Sequence, residues 1–136
     1  MPKRSLAACM AALALAVPAA AQRAGIQDRL AMALDTAVKE HEIFLNCSAT
    51  DRPAHTLIRR GWDDMVREAI AALEAAKADA AIVKQYRERT DAEKMLKRDA
   101  RFAEILELCS GDWMDRAINL KYLLLNVRVR EILDAK

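Results

Sequence analysis

The chain has 136 residues, 54% of them hydrophobic and 4% aromatic, with 22 Lys and Arg against 20 Asp and Glu. That length holds one domain around a single core. The positive excess is Lys3 and Arg4; without that pair 20 bases face 20 acids, a balance that excludes the long-range attraction on which nucleic-acid and anionic-membrane binders rely.

Lys3 and Arg4 precede an apolar run from Leu6 to Val17. Pro18 breaks the run, and Ala19-Ala20-Ala21 supplies the small residues that signal peptidase cleavage requires. The order predicts a secretory signal peptide over 1–21 and a single helical domain over 22–136, delivered to the periplasm or secreted. The apolar run is too short to persist as a transmembrane helix, so no stable membrane anchor is expected after leader removal. Leu6-Ala7-Ala8-Cys9 matches a lipoprotein cleavage box as a string. Most of the apolar run follows that cysteine, however, whereas a lipoprotein leader places it before.

Helix one is expected from about Gln27 to Leu45. Ile26, Leu30, Leu34, Ala37, Val38, His41 and Leu45 recur every three or four residues and form one face. Cys47 follows in a polar break. Helix two opens at Thr50 or Asp51 as cap, with Pro53 in the first turn, where its missing N–H costs nothing. Its stripe is Ile58, Trp62, Met65, Ala69, Leu73 and Ala76. Gly61 sits inside it, a position that would admit a close neighbour beside Trp62.

The stripe loses phase at Lys77–Asp79, and a short helix over Ala80–Arg89 carries Ile82, Val83 and Tyr86. Thr90-Asp91-Ala92-Glu93 reads as a capping box. It opens helix three, Asp91–Leu108, with Met95, Phe102, Leu106 and Cys109 pointing inward. Ser110-Gly111-Asp112 turns the chain into helix four, Trp113–Leu133, which is apolar on most sides. Three glycines and three prolines are too few turn residues for a many-stranded fold. The expectation is an all-α antiparallel four-helix bundle, with a short extra helix between helices two and three and one disulfide.

Cys47 and Cys109 are the two cysteines that outlast the leader. In an exported chain of this size they are expected to bond to each other. They close a loop of about 60 residues, worth roughly 4 kcal/mol in the chain-entropy account. A redox pair would normally stand as Cys-x-x-Cys, and this one does not.

His41 and His55 are the only histidines. With Met32, Met65, Met95 or Met114 they are the candidate ligands of a haem- or metal-binding bundle. The chain has no Cys-x-x-Cys-His, no Glu-x-x-His and no His-x-x-x-His, so no cofactor is expected. A small hydrolase or redox protein using the Ser48 and Ser110 loops is the other chemical reading. Arg59, Arg60 and Arg67 beside Asp63, Asp64 and Glu68 read as an exposed, ion-paired helix face. Trp113 and Phe44 are expected to pack as a plug near the disulfide, and Phe44, Trp62 and Trp113 form the candidate recognition surface. The leading function is a non-enzymatic exported binding or interaction protein. Helix four is the surface that would meet a protein partner or a second copy.

Overall fold

The computed structural model describes residues 18–119 and 124–135. These form seven α-helices and no strand: α1 (Ala19–Cys47), α2 (Arg52–Ala75), α3 (Ala80–Arg89), α4 (Ala92–Met95), α5 (Phe102–Leu108), α6 (Trp113–Ile118) and α7 (Leu125–Asp134). None of these helices is long and apolar enough to cross a membrane.

The core follows the apolar spacing of the first two helices. α1 buries Leu30, Leu34, Ala37, His41 and Phe44, and α2 buries Trp62, Met65, Ala69 and Leu73. Steps of three and four residues keep each set on one side of its helix. α7 lies against both α1 and α2 and contributes Leu125, Val129 and Ile132. α3 adds Ile82 and Tyr86, and α4 adds Ala92 and Met95. The Tyr86 hydroxyl donates to the Leu30 carbonyl at 2.7 Å, so its polar end is satisfied inside.

The helix boundaries have local causes. Asp51 caps α2 by accepting from the Ala54 N–H at 3.1 Å, with Pro53 in the first turn. At the other end of α2, the Ala78 N–H reaches the Leu73 carbonyl at 2.9 Å and the Lys77 N–H the Glu74 carbonyl at 3.0 Å. That pairing needs a left-handed residue, and Lys77 takes it at φ 53°. Helix α2 runs unbroken through Gly61, and a Cβ there would meet nothing within 4 Å. The expected close neighbour is therefore absent, and Trp62 is enclosed instead by partners that include His41 and the Thr90 carbonyl. Thr90 is not the start of a capping box: its hydroxyl donates back to the Tyr86 carbonyl at 2.6 Å, ending α3, while Asp91 caps α4 by accepting from the Glu93 N–H.

The elements divide more finely than the expected four-helix antiparallel bundle. Predicted helix three is interrupted. Met95 is buried, but the next inward positions are Arg98 and Asp99, which are exposed. The chain leaves the helix at Leu96 and turns its Lys97 N–H onto the Asn46 Oδ1 at 2.7 Å. α5 then starts afresh with the opposite orientation: Phe102 is 77% and Leu106 55% exposed, where both were expected inside. Predicted helix four divides as well. α6 ends at Asn119, and α7 begins after Leu124 in extended conformation. Leu120 and Tyr122 lie outside the described residues. The stretch from Leu125 to Arg130 is helical, as expected.

No described residue from 97 to 119 belongs to the hydrophobic core or packs against it. Residues 97–119 thus leave the core and run along its outside. They are attached to the rest of the domain by Cys47–Cys109, the Lys97 N–H on Asn46, an Arg98–Glu93 pair, a Lys97–Glu42 pair at 2.6 Å and an Arg116–Glu40 pair at 3.2 Å, together with contacts of α5 and α6 on α1.

Two stability measurements test this description. Trp62→Phe deletes the only described donor to the Thr90 carbonyl and should cost about 1–3 kcal/mol in urea unfolding; Trp62→Ala should cost about 3–5 kcal/mol. Lys77→Gly should instead raise stability by about 1 kcal/mol, because glycine adopts the left-handed cap without strain.

Candidate functional site

The C-terminal third of α1 gathers most of the residues singled out from the sequence. His41 is 1% exposed. Its ring stacks on Trp62 at 4.3 Å between centroids, and Phe44 meets it edge-on at 5.3 Å. Nδ1 lies 2.9 Å from the Ala37 carbonyl, which can only accept, so Nδ1 carries the proton. Nε2 is buried without a hydrogen-bond partner among the described residues. Burial lowers the His41 pKa from its ordinary 6.5 to about 4, against a smaller opposing effect of the Ala37 hydrogen bond. His41 is therefore a neutral aromatic plate in the interior. As a haem or metal ligand it is corrected on packing grounds: two aromatic neighbours cover it.

His55 sits half-buried in the first turn of α2. Its Nδ1 lies 3.1 Å from the Leu45 carbonyl and 3.1 Å from the Ser48 hydroxyl. The Ser48 hydroxyl also reaches the Leu45 carbonyl at 3.3 Å, and Ser48 is 1% exposed. The sequence placed a serine and a histidine as candidates, and the fold brings them together. The arrangement nevertheless suits a closed turn better than an acyl-transfer site. The serine is inaccessible, and both groups face the same backbone carbonyl. Ser110 is exposed, and its hydroxyl donates to the Glu107 carbonyl at 2.7 Å. Met32 and Met114 are exposed, whereas Met65 and Met95 are buried. Among the described residues no group of three or more His, Cys, Asp or Glu is placed to hold a metal ion.

Cys47 and Cys109 are bonded, with their Cα atoms 5.4 Å apart and both residues half-buried. Asn46, which the sequence reading passed over, stands beside Cys47 and uses both amide protons and its carbonyl oxygen. Its Nδ2 donates to the Glu42 carbonyl at 2.7 Å and the Met95 carbonyl at 3.0 Å, while Oδ1 accepts from Lys97. The available signal was an amide side chain at a helix end, which is too common to single out.

The expected recognition surface needs correction. Phe44 and Trp62 are both 0% exposed and cannot meet a partner. Trp113, half-buried at the start of α6, remains near the surface. The exposed apolar side chains lie instead on the peripheral segment: Phe102 and Leu106 on α5, and Met114 and Ile118 on α6, at 77%, 55%, 57% and 75% exposure. Neither α5 nor α6 buries a single residue. Their charges are largely paired locally, Arg101 with Glu104 and Arg116 with Asp112 and Glu40. A separate hollow of about 520 Å³ opens between α1 and α7, floored by Met32, Ala33 and Ile132 and edged by Arg29 and Arg128.

No known protein family matches the chain, and no curated protein or solved structure matches it. The functional reading therefore rests on the geometry above.

His41 gives a pH signature that can be measured. Its folded pKa lies below its unfolded value, so between pH 6.5 and about 4 the unfolded chain takes up a proton that the native ring refuses. Stability is full above pH 6.5 and should fall by about 3 kcal/mol on acidification to pH 4. Denaturant titrations of wild type and His41→Phe across that range should show the decline flattened in the variant by about this amount.

Proposed function

We propose that the chain is a small exported helical interaction protein without catalytic activity, and that it associates through the apolar side chains of α5 and α6. The carrying observation is the exposure of Phe102, Leu106, Met114 and Ile118 on two short helices that bury nothing. Four such side chains expose on the order of 500 Å² of apolar surface, the size of the largest patch on a typical monomer, which is often a functional one. Met114 and Ile118 belong to the first part of the predicted helix four, from which the sequence already pointed to a partner.

Export is supported by the leader pattern over 1–21 and by a disulfide, a bond that persists in oxidising compartments. Among the described residues, cleavage after Ala21 would remove only exposed ones and no member of the core.

The occupant assigned to the surface is a second copy of this chain. Arg101 and Arg116 already pair with Glu104 and Asp112, while Glu107 and Asp115 have no ion pair among the described residues, so contact between two copies is carried by apolar area and not by charge. The apolar area approaches the roughly 800 Å² per partner of a standard interface, with the polar rim supplying the remainder. Sedimentation of the chain beginning at Gln22 should show a concentration-dependent dimer. Phe102→Lys and Ile118→Lys together should leave a monomer with unfolding free energy changed by no more than about 0.5 kcal/mol, since both positions are exposed. A wild-type chain that stays monomeric at every concentration refutes the homotypic contact.

A further inference from the structure

We propose that Cys47–Cys109 is a releasable tether for residues 97–119 and does not staple the core. The bond joins the end of α1 to the end of α5. On the α1 side it is anchored beside the core, next to buried Leu45 and Asn46. On the other side it holds a segment, residues 97–119, that supplies no core residue.

The segment leaves the core at a fixed point. Asn46 accepts from the Lys97 N–H and donates to the Met95 carbonyl, so the chain is held firmly up to residue 97. Beyond it, apart from the disulfide, the attachments are weaker in kind. Arg116 pairs with Glu40 with 41% and 23% of the two side chains exposed. Ile105, Leu108, Trp113 and Ala117 are only half-buried. Both cysteines are half-buried too, so neither lies in the sealed interior of the domain.

The chemistry needs a dithiol. Its thiolate attacks one sulfur of the bond and displaces the other cysteine as a thiolate, which takes up a proton. The second thiol of the reductant, losing its proton, then attacks the mixed disulfide and closes the reductant's own ring. Two electrons pass from the dithiol to the protein, leaving Cys47 and Cys109 as thiols and the reductant as a disulfide. With the tether open, α5 and α6 no longer have a fixed position on α1. The consequence for association rests on the reading of these two helices as the contact surface: reduction disperses that surface and lowers self-association.

Hydrogen exchange followed by mass spectrometry tests the release, using the chain from Gln22 oxidised, reduced with dithiothreitol, and as Cys47→Ala/Cys109→Ala. Amides of residues 99–119 should exchange at least about a hundredfold faster in the reduced and doubly substituted proteins, while amides of Leu30–Asn46, Arg52–Ala75 and Leu125–Asp134 accelerate by no more than about tenfold, the factor that a core cost of about 1.5 kcal/mol allows. The substituted protein guards against an effect of the reductant itself. Acceleration spread evenly over all helices, or unchanged exchange over 99–119, overturns the tether. Sedimentation of the same samples separates the two readings. Release with loss of the dimer supports both. Release with association unchanged, or with no dimer even in the oxidised protein, keeps the tether and removes the contact surface.

Discussion

The burial of Trp62 is the contact through which the separate helices become one body. Its indole is wholly enclosed, its face is stacked on His41 of α1, and its N–H donates to the Thr90 carbonyl at 2.9 Å. A single side chain on α2 thereby sets the distance to α1 and fixes the turn where α3 passes into α4. Aromatic burial of this kind combines a large apolar area with a directional polar group that must find its partner. The Thr90 carbonyl is that partner, and its position places Met95 where Asn46 can reach it. The hydrogen bonds of Asn46 then define where the chain departs from the core.

Much of this was legible in the sequence, for identifiable reasons. The stripes of α1 and α2 are long and strongly periodic, and Leu30, Leu34, Trp62, Met65 and Leu73 fall inside as their spacing requires. The α3 boundaries and the cap at Asp51 follow from local chemistry that tertiary contacts do not override. The disulfide follows from cysteine arithmetic, since only Cys47 and Cys109 lie beyond the expected leader. What failed was the extrapolation of periodicity across gaps. From Met95 the next apolar residue in phase is Phe102, and the intervening positions are charged. A helix can carry a charge on its inner side only if something pairs it there. Here the chain abandons the helix instead, and Phe102 and Leu106 emerge on the outside. The same reasoning misjudged Phe44 and Trp62 as partner-facing, because size and aromaticity are shared by core anchors and by interface anchors.

The disulfide also changes its energetic meaning. The value of roughly 4 kcal/mol assumes that breaking the bond frees the unfolded chain alone. If residues 97–119 are free to move once it opens, the native state gains freedom too, over a loop of about a dozen residues from Leu96. The net effect on the core then scales with the ratio of the two loop lengths, about 1.5 kcal/mol. A bond spanning 62 residues of sequence can therefore matter more for where a segment sits than for whether the domain folds.

The placement of the sulfurs has one more consequence. A nick between Arg98 and Asp99, in the exposed stretch just past the Asn46 anchor, would divide the polypeptide into two fragments. One would hold Cys47 and the other Cys109, so the halves would remain a single covalent molecule. The distal fragment would keep α7 with Leu125, Val129 and Ile132 still seated. Severed backbone and intact core would then coexist, and the break would show itself only after the sulfur link was also cut.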